Sequence, residues 1–160
     1  MPANRYEFLT RWRVQGTAEE VYNILVDVPG YTGWWSQVYL DVQEIQRDPA
    51  GKPGREFRLC TKGRLPYTLT WTSREAETQK PGRIAIEATG DFQGRGIWTF
   101  QQDGEFVDIL FDWRLDANKP LIRYLSFLLK PIFAANHRWA MARGEEGLCS
   151  ELARRRGRAS

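Results

Sequence analysis

Side chains able to do chemistry are scarce in this 160-residue chain. His137 is its only histidine, and Cys60 and Cys149 are its only cysteines. One imidazole and two scattered thiols exclude a multi-histidine metal site, a zinc finger and a disulfide framework, so neither a metal nor another cofactor is expected. His137 alone titrates near neutrality without perturbation. It could donate a hydrogen bond to a ligand carbonyl or act as a general base; equally, it could be a neutral imidazole bonded to a strand residue or water. Acid–base catalysis needs an orienting or complementary partner. The inward strand positions derived below offer only Tyr6, Thr10 and Tyr67, and no dyad is visible, so His137 with Tyr67 is the candidate pair if catalysis occurs.

Other possible sites fail on context. Gly90–Gly96 has the spacing GxxxGxG, but Ile97-Trp98-Thr99-Phe100 follows as a strand, whereas cradling a phosphate requires a helix N-terminus. Ser36, Ser73, Ser126 and Ser150 lack a nucleophile-elbow context. Cys60 is expected on the outer face of its strand and Cys149 on the solvent side of a helix, without a cationic activator. Arg64 sits in a turn beside Pro66 and Tyr67, where it would meet solvent or an anionic group of a ligand.

The elements that position these residues follow from periodicity. Tyr6, Phe8, Thr10, Trp12 and Val14 alternate with polar residues, a strand. Thr17 and Glu20 form a capping box, and Val21, Ile24, Leu25 and Val28 recur at helical spacing until Pro29-Gly30. Tyr31–Ser36 reads as a short helical turn or loop carrying Trp34 and Trp35, which would either gate a cavity or plug a core. Strands are expected over 38–46, 55–62, 66–76, 83–90, 94–102 and 105–115. The breaks have turn chemistry, among them Asp48-Pro49-Ala50-Gly51, Lys80-Pro81-Gly82 and Asp103-Gly104.

If Asp103-Gly104 is a two-residue type I′ loop, Phe100 pairs with Val107, Trp98 with Ile109, Gly96 with Phe111 and Gly94 with Trp113, all on one face. Arg95 then faces Asp112, and Thr99 faces Asp108, on the other. Glycines opposite large rings leave room for those rings to lie over the sheet.

Helical spacing returns after Asn118-Lys119-Pro120. Leu121, Leu125, Leu128 and Leu129 share one face, and Pro131 either kinks this helix or starts a second that runs to about Arg154. Phe133, His137, Ala140, Met141, Gly144 and Leu148 cluster on one side. Asn136 lies about 100° away, so it should meet the sheet edge or a loop. Strand, helix, strands and long helix, joined by short turns, give an α+β domain with an antiparallel sheet closed by a helix.

Charge and composition bound the function. The chain carries 23 Lys and Arg against 20 Asp and Glu. Without Arg154, Arg155, Arg156 and Arg158 the balance is 19 against 20, so the basic excess belongs to the end of the chain rather than to a folded face, which argues against nucleic acid. A frayed basic tail over 154–160, able at most to touch a membrane surface, is expected. No apolar run reaches the roughly 18 residues of a membrane span and no signal sequence is evident, so a cytoplasmic protein is expected, of unassigned oligomeric state. The informative excess is aromatic: seven Trp, six Tyr and eight Phe. Nearly half fall on one predicted sheet face, including Trp71, Trp98, Phe111 and Trp113, and that face reads as free of carboxylates, Lys and Arg.

The assembled residues resemble the SRPBCC superfamily of START-related, helix-grip proteins, in particular its polyketide cyclase/dehydrase-like and lipid-transport branch. The resemblance spans about 6–153 and rests on Val21-Tyr22 in the capped helix, Trp34-Trp35, Leu65-Pro66-Tyr67, Gly90–Trp98, Trp113 near Lys119-Pro120, and Asn136-His137 with Met141, Gly144, Gly147 and Leu148. It implies a single domain over 1–153: a curved seven-stranded antiparallel sheet wrapped around a long C-terminal helix, with two short helices between strands 1 and 2. A cavity between sheet and helix would hold a hydrophobic, lipid-like or aromatic ligand. Trp34, Trp35, Tyr67, Trp71, Trp98, Phe111, Trp113, Phe133, Asn136, His137, Ala140 and Met141 would line it. The alternatives are a cyclase or dehydratase using His137 and Tyr67, and a protein- or membrane-surface module.

Overall fold

The computed structural model describes residues 5–45, 55–117 and 120–159. Strand β1 (Arg5–Gln15) leads into α1 (Ala18–Val26), a 3₁₀ turn (Val28–Gly30) and α2 (Tyr31–Trp34). Strands β2 (Tyr39–Ile45), β3 (Glu56–Lys62), β4 (Thr68–Gln79), β5 (Arg83–Gly90), β6 (Phe92–Asp103) and β7 (Phe106–Ala117) follow, and α3 (Pro120–Ala159) ends the chain. All neighbouring strands are antiparallel, in the order β1-β7-β6-β5-β4-β3-β2. The helix-grip α+β fold is therefore present, with its two short helices between β1 and β2. None of the described helices is long and apolar enough to cross a membrane.

Local chemistry accounts for these elements. The capping box forms: Thr17 Oγ1 accepts from Glu20 N (3.1 Å) and Glu20 Oε1 from Thr17 N (2.9 Å). Gln102 joins this helix start to the β6–β7 turn, since its Oε1 accepts from Ala18 N while its Nε2 donates to the carbonyls of Gly16, Gly104 and Phe106. The core lies between sheet and α3. Trp12, Val14, Phe57, Leu59, Trp98, Ile109 and Leu148 are among its buried members.

Three expectations are corrected. First, the β6–β7 register differs from the predicted one by two residues. Phe100 pairs with Ile109, Trp98 with Phe111, Gly96 with Trp113 and Gly94 with Leu115, while Asp103 pairs with Phe106. The turn is thus centred on Gly104-Glu105, with Gly104 at φ +61° and Glu105 not in the left-handed region, as in a type II′ rather than a type I′ hairpin. A two-residue displacement keeps every side chain on its expected face. It also puts Arg95 opposite Arg114 and Thr99 opposite Leu110; Arg114 instead pairs with Asp112 on its own strand (3.1 Å). Second, of the two readings of Pro131 the start of a separate helix is overturned, since the residue lies inside the continuous α3. Third, 154–159 is helical rather than frayed: Arg154 and Arg155 both bind Glu151, and Arg156 reaches Glu20 (2.9 Å). The Asp48–Gly51 break, Asn118-Lys119 and the side chains of the Leu121–Leu129 stripe lie outside the described residues.

Candidate functional site

A cavity of about 190 Å³ separates the sheet from α3. This is many times the ~10–15 Å³ that admits one water, so the space is of small-molecule size. Its floor is a run of rings. Trp98 stacks on Phe111 (centroids 4.0 Å apart, 16° between planes), Phe111 on Trp113 (5.4 Å, 21°), and Trp71 meets Trp113 at 5.6 Å. They lie flat because Gly96, inward on β6, has no side chain: a Cβ there would be 2.6 Å from the Trp113 ring and 2.7 Å from Phe111. Trp71 uses its polar edge internally, Nε1 donating to Thr61 Oγ1 (3.1 Å) in a buried bond.

The roof is the α3 stripe, where Phe133, His137, Ala140 and Met141 all face the cavity. His137 stacks on Phe8, centroids 4.0 Å apart and 17° between planes. Its Nε2 is enclosed and has no hydrogen-bond partner among the described residues. Burial, with the Arg138 charge adding to it, lowers its pKa to about 4, so the imidazole is neutral near pH 7. Tyr67 also lines the cavity, and burial, then the neighbouring Tyr6, raises its pKa. Among the described residues no hydrogen bond joins Tyr67 to His137.

Asn136 lines the same end, but its Oδ1 accepts from the backbone N–H groups of Arg64 (2.6 Å) and Leu65 (3.3 Å). As the helical angle predicts, it meets a loop: it holds the β3–β4 connection against α3. Gly63 completes the contact, since a Cβ there would overlap that oxygen. The Arg64 side chain is exposed.

The tryptophan pair divides its work. Trp35 is buried, lines the cavity and donates Nε1 to Ala140 O (2.9 Å), which makes it a plug rather than a gate. Trp34 does not line the cavity, contrary to expectation. It stacks on Trp35 (5.3 Å, 23°) and packs where Gly147 of α3 passes its backbone. Trp35 thus forms the cavity wall, with Trp34 stacked against it.

Sequence reasoning missed one wall and three charged residues. Leu25, Val26, Val28, Tyr31 and Tyr39 close the side formed by α1, the 3₁₀ turn, α2 and β2. Besides Lys62 and Asp91, Glu75 lines the cavity, which corrects the reading of a face free of carboxylates and Lys. It follows Leu69, Trp71 and Ser73 on the inward parity of β4, so strict alternation identifies it. Gly94 and Gly96 lie within β6, consistent with the rejection of a phosphate loop. Among the described residues no group of three or more His, Cys, Asp or Glu could hold a metal ion.

No protein-family model and no curated protein matches the sequence. Solved structures do. The chain is similar to the ZhuI aromatase/cyclase from Streptomyces sp. R1128, with TM-score 0.70 and 17% identity, covering 94% of this chain and 95% of that one. It is similar to TTHA0849 from Thermus thermophilus, with TM-score 0.71 and 19% identity over 91% and 99% of the two chains. A START superfamily protein from Mycobacterium smegmatis matches with TM-score 0.67 and 14% identity over 92% and 97%. At these identities the likeness is one of fold, and the chain has the helix-grip fold of the START-related, polyketide cyclase-like proteins.

Proposed function

We propose that the protein binds a hydrophobic small molecule, lipid-like or aromatic, between sheet and α3, and that His137 Nε2 is the polar contact that orients it. The observation carrying this reading is the enclosed, unpartnered Nε2 at the edge of a ring-lined space. Buried polar atoms are nearly always hydrogen-bonded, and leaving one unpaired costs about 1–3 kcal/mol. A ligand carbonyl or hydroxyl would remove that cost. Apolar walls with few polar handles are the usual composition of a small-molecule site.

The test is native mass spectrometry of the purified chain together with quenching of its tryptophan fluorescence by Nile red. One-to-one uptake is expected, with Trp71, Trp98 and Trp113 in contact with the dye. Absence of uptake overturns the proposal.

Catalysis by His137 and Tyr67 as a cyclase or dehydratase has one observation in its favour: both side chains reach the cavity of a fold shared with an aromatase/cyclase. A base with a pKa of about 4 is weak at neutrality, however, and nothing among the described residues orients its ring toward Tyr67. A membrane-surface role for the terminal arginines has less support, since Arg154, Arg155 and Arg156 are engaged with Glu151 and Glu20.

A further inference from the structure

Two ends of the cavity differ in chemistry. The loop bound by Asn136 leads through Tyr67 into Leu69, so His137 stands at the start of β4, whereas Glu75 is six residues further along that strand. At about 3.3 Å per residue the two positions are roughly 20 Å apart along the chain. Glu75 is half-buried on the cavity wall. Its carboxylate has no hydrogen bond or ion pair among the described residues. Two nearby groups that could supply a donor are committed elsewhere. Arg55, whose charge feels Glu75, is held by both carboxylate oxygens of Glu44 (2.9 and 2.8 Å). Tyr31 donates its hydroxyl to Leu25 O (2.5 Å). Asp27 adds a second negative charge: burial above all, then Tyr39, Asp27 and Glu75, raises the Tyr31 pKa. This end is therefore electronegative, and neither Arg55 nor Tyr31 supplies Glu75 with a donor.

We infer that the ligand is polar at both ends of an apolar body, with a hydrogen-bond-donor group, hydroxyl or ammonium, seated on Glu75 and its acceptor or hydroxyl end at His137. The inference rests on the cavity-binding reading above. A carboxylate in a low-dielectric wall binds a donor through a charge-assisted hydrogen bond and repels an anion. Fatty acids and other apolar carboxylates are accordingly disfavoured at this end, and amines and alcohols are selected.

The experiment displaces Nile red from the full chain with dodecylamine, dodecanol and dodecanoate. Dodecylamine and dodecanol should compete at concentrations about tenfold lower than dodecanoate. Glu75→Gln should erase that advantage, mainly by weakening dodecylamine, whereas Glu77→Gln, changed at an exposed position of the same strand, should leave the order intact. Preference for dodecylamine alone would assign an ammonium, and preference for both an uncharged donor. Equal competition by all three in the unmodified chain, which needs no variant to fold, overturns the inference while leaving the cavity reading standing. A ranking that survives Glu75→Gln overturns it as well. Failure of Nile red to bind at all overturns both.

Discussion

Helix α3 lies over the sheet in two ways, and the contrast explains where the protein has space. At Gly144 and Gly147 the helix comes down onto the tryptophans. A Cβ on Gly144 would stand 2.5 Å from the Trp35 ring and 2.9 Å from Trp12, and one on Gly147 would overlap the Trp34 carbonyl oxygen. Nothing more fits there. One to three turns earlier the same stripe carries Phe133, His137 and Ala140, and the rings beneath lie flat over Gly96 instead of rising to meet the helix. A glycine on the helix thus closes the gap, whereas a glycine in the sheet opens it. The aromatic residues are alike in the two regions; the position of the small residue decides whether they become core or cavity wall.

The largest effect is expected from breaking the filled half. Gly144→Ala pushes a methyl group into two flat, inflexible rings and should cost about 3 kcal/mol in denaturant unfolding, outweighing the roughly 1 kcal/mol that alanine gains over glycine in a helix. The matching addition in the hollow half, Ala140→Val, should change stability by less than about 1 kcal/mol and instead reduce Nile red uptake. Equal losses at the two sites would erase the distinction between them.

Next in size is the pH response of the hollow half. The folded pKa of His137 is about 4, below the ordinary histidine value of 6.5. Between those values the unfolded chain holds the extra proton, so stability is complete above pH 6.5 and falls as pH drops through 4. The loss should be on the order of 3 kcal/mol. Glu151, which its hydrogen bonds to Arg154 and then Arg155 hold at about 2, acts in a lower window, losing its contribution from pH 4.5 downward. His137→Phe should abolish the upper phase of the acid unfolding curve and leave the lower one. A curve unchanged by the substitution would mean that His137 is not buried as a neutral ring.

Much of this was legible in the sequence, and the failures have physical causes. Alternation placed Tyr6, Trp12, Trp98 and Trp113 inward, and helical spacing placed His137 beside Met141, because burial imposes those periods on the side chains. The β6–β7 register was not legible, since turns at Asp103-Gly104 and at Gly104-Glu105 differ by an even step and bury the same residues. Helicity beyond Arg154 depends partly on Glu20, which is 136 positions away in the chain. The opposite fates of Trp34 and Trp35 depend on α3, which the local pattern does not contain. Parity places Glu75 on the inward face of β4, but a carboxylate carries no hydrophobic signal that would mark it as part of an apolar wall.

The smallest effect concerns the boundary of the hollow half. Asn136 Oδ1 is the acceptor for two amides of the β3–β4 loop, and the loop supports Tyr67 at the cavity. Asn136→Ala should cost about 1 kcal/mol, since two partly accessible amides can turn to water once the acceptor is gone. Hydrogen exchange reads the change more sharply than global unfolding. The amides of Arg64 and Leu65 should lose protection while those of β6 and β7 keep theirs, because local openings need only break contacts within their own segment. Faster dye uptake at unchanged final affinity would accompany a loop that admits the ligand. Unchanged protection at Arg64 and Leu65 would show that Gly63 and the strand ends hold the loop without Asn136, and the hollow half would then be bounded by the sheet alone.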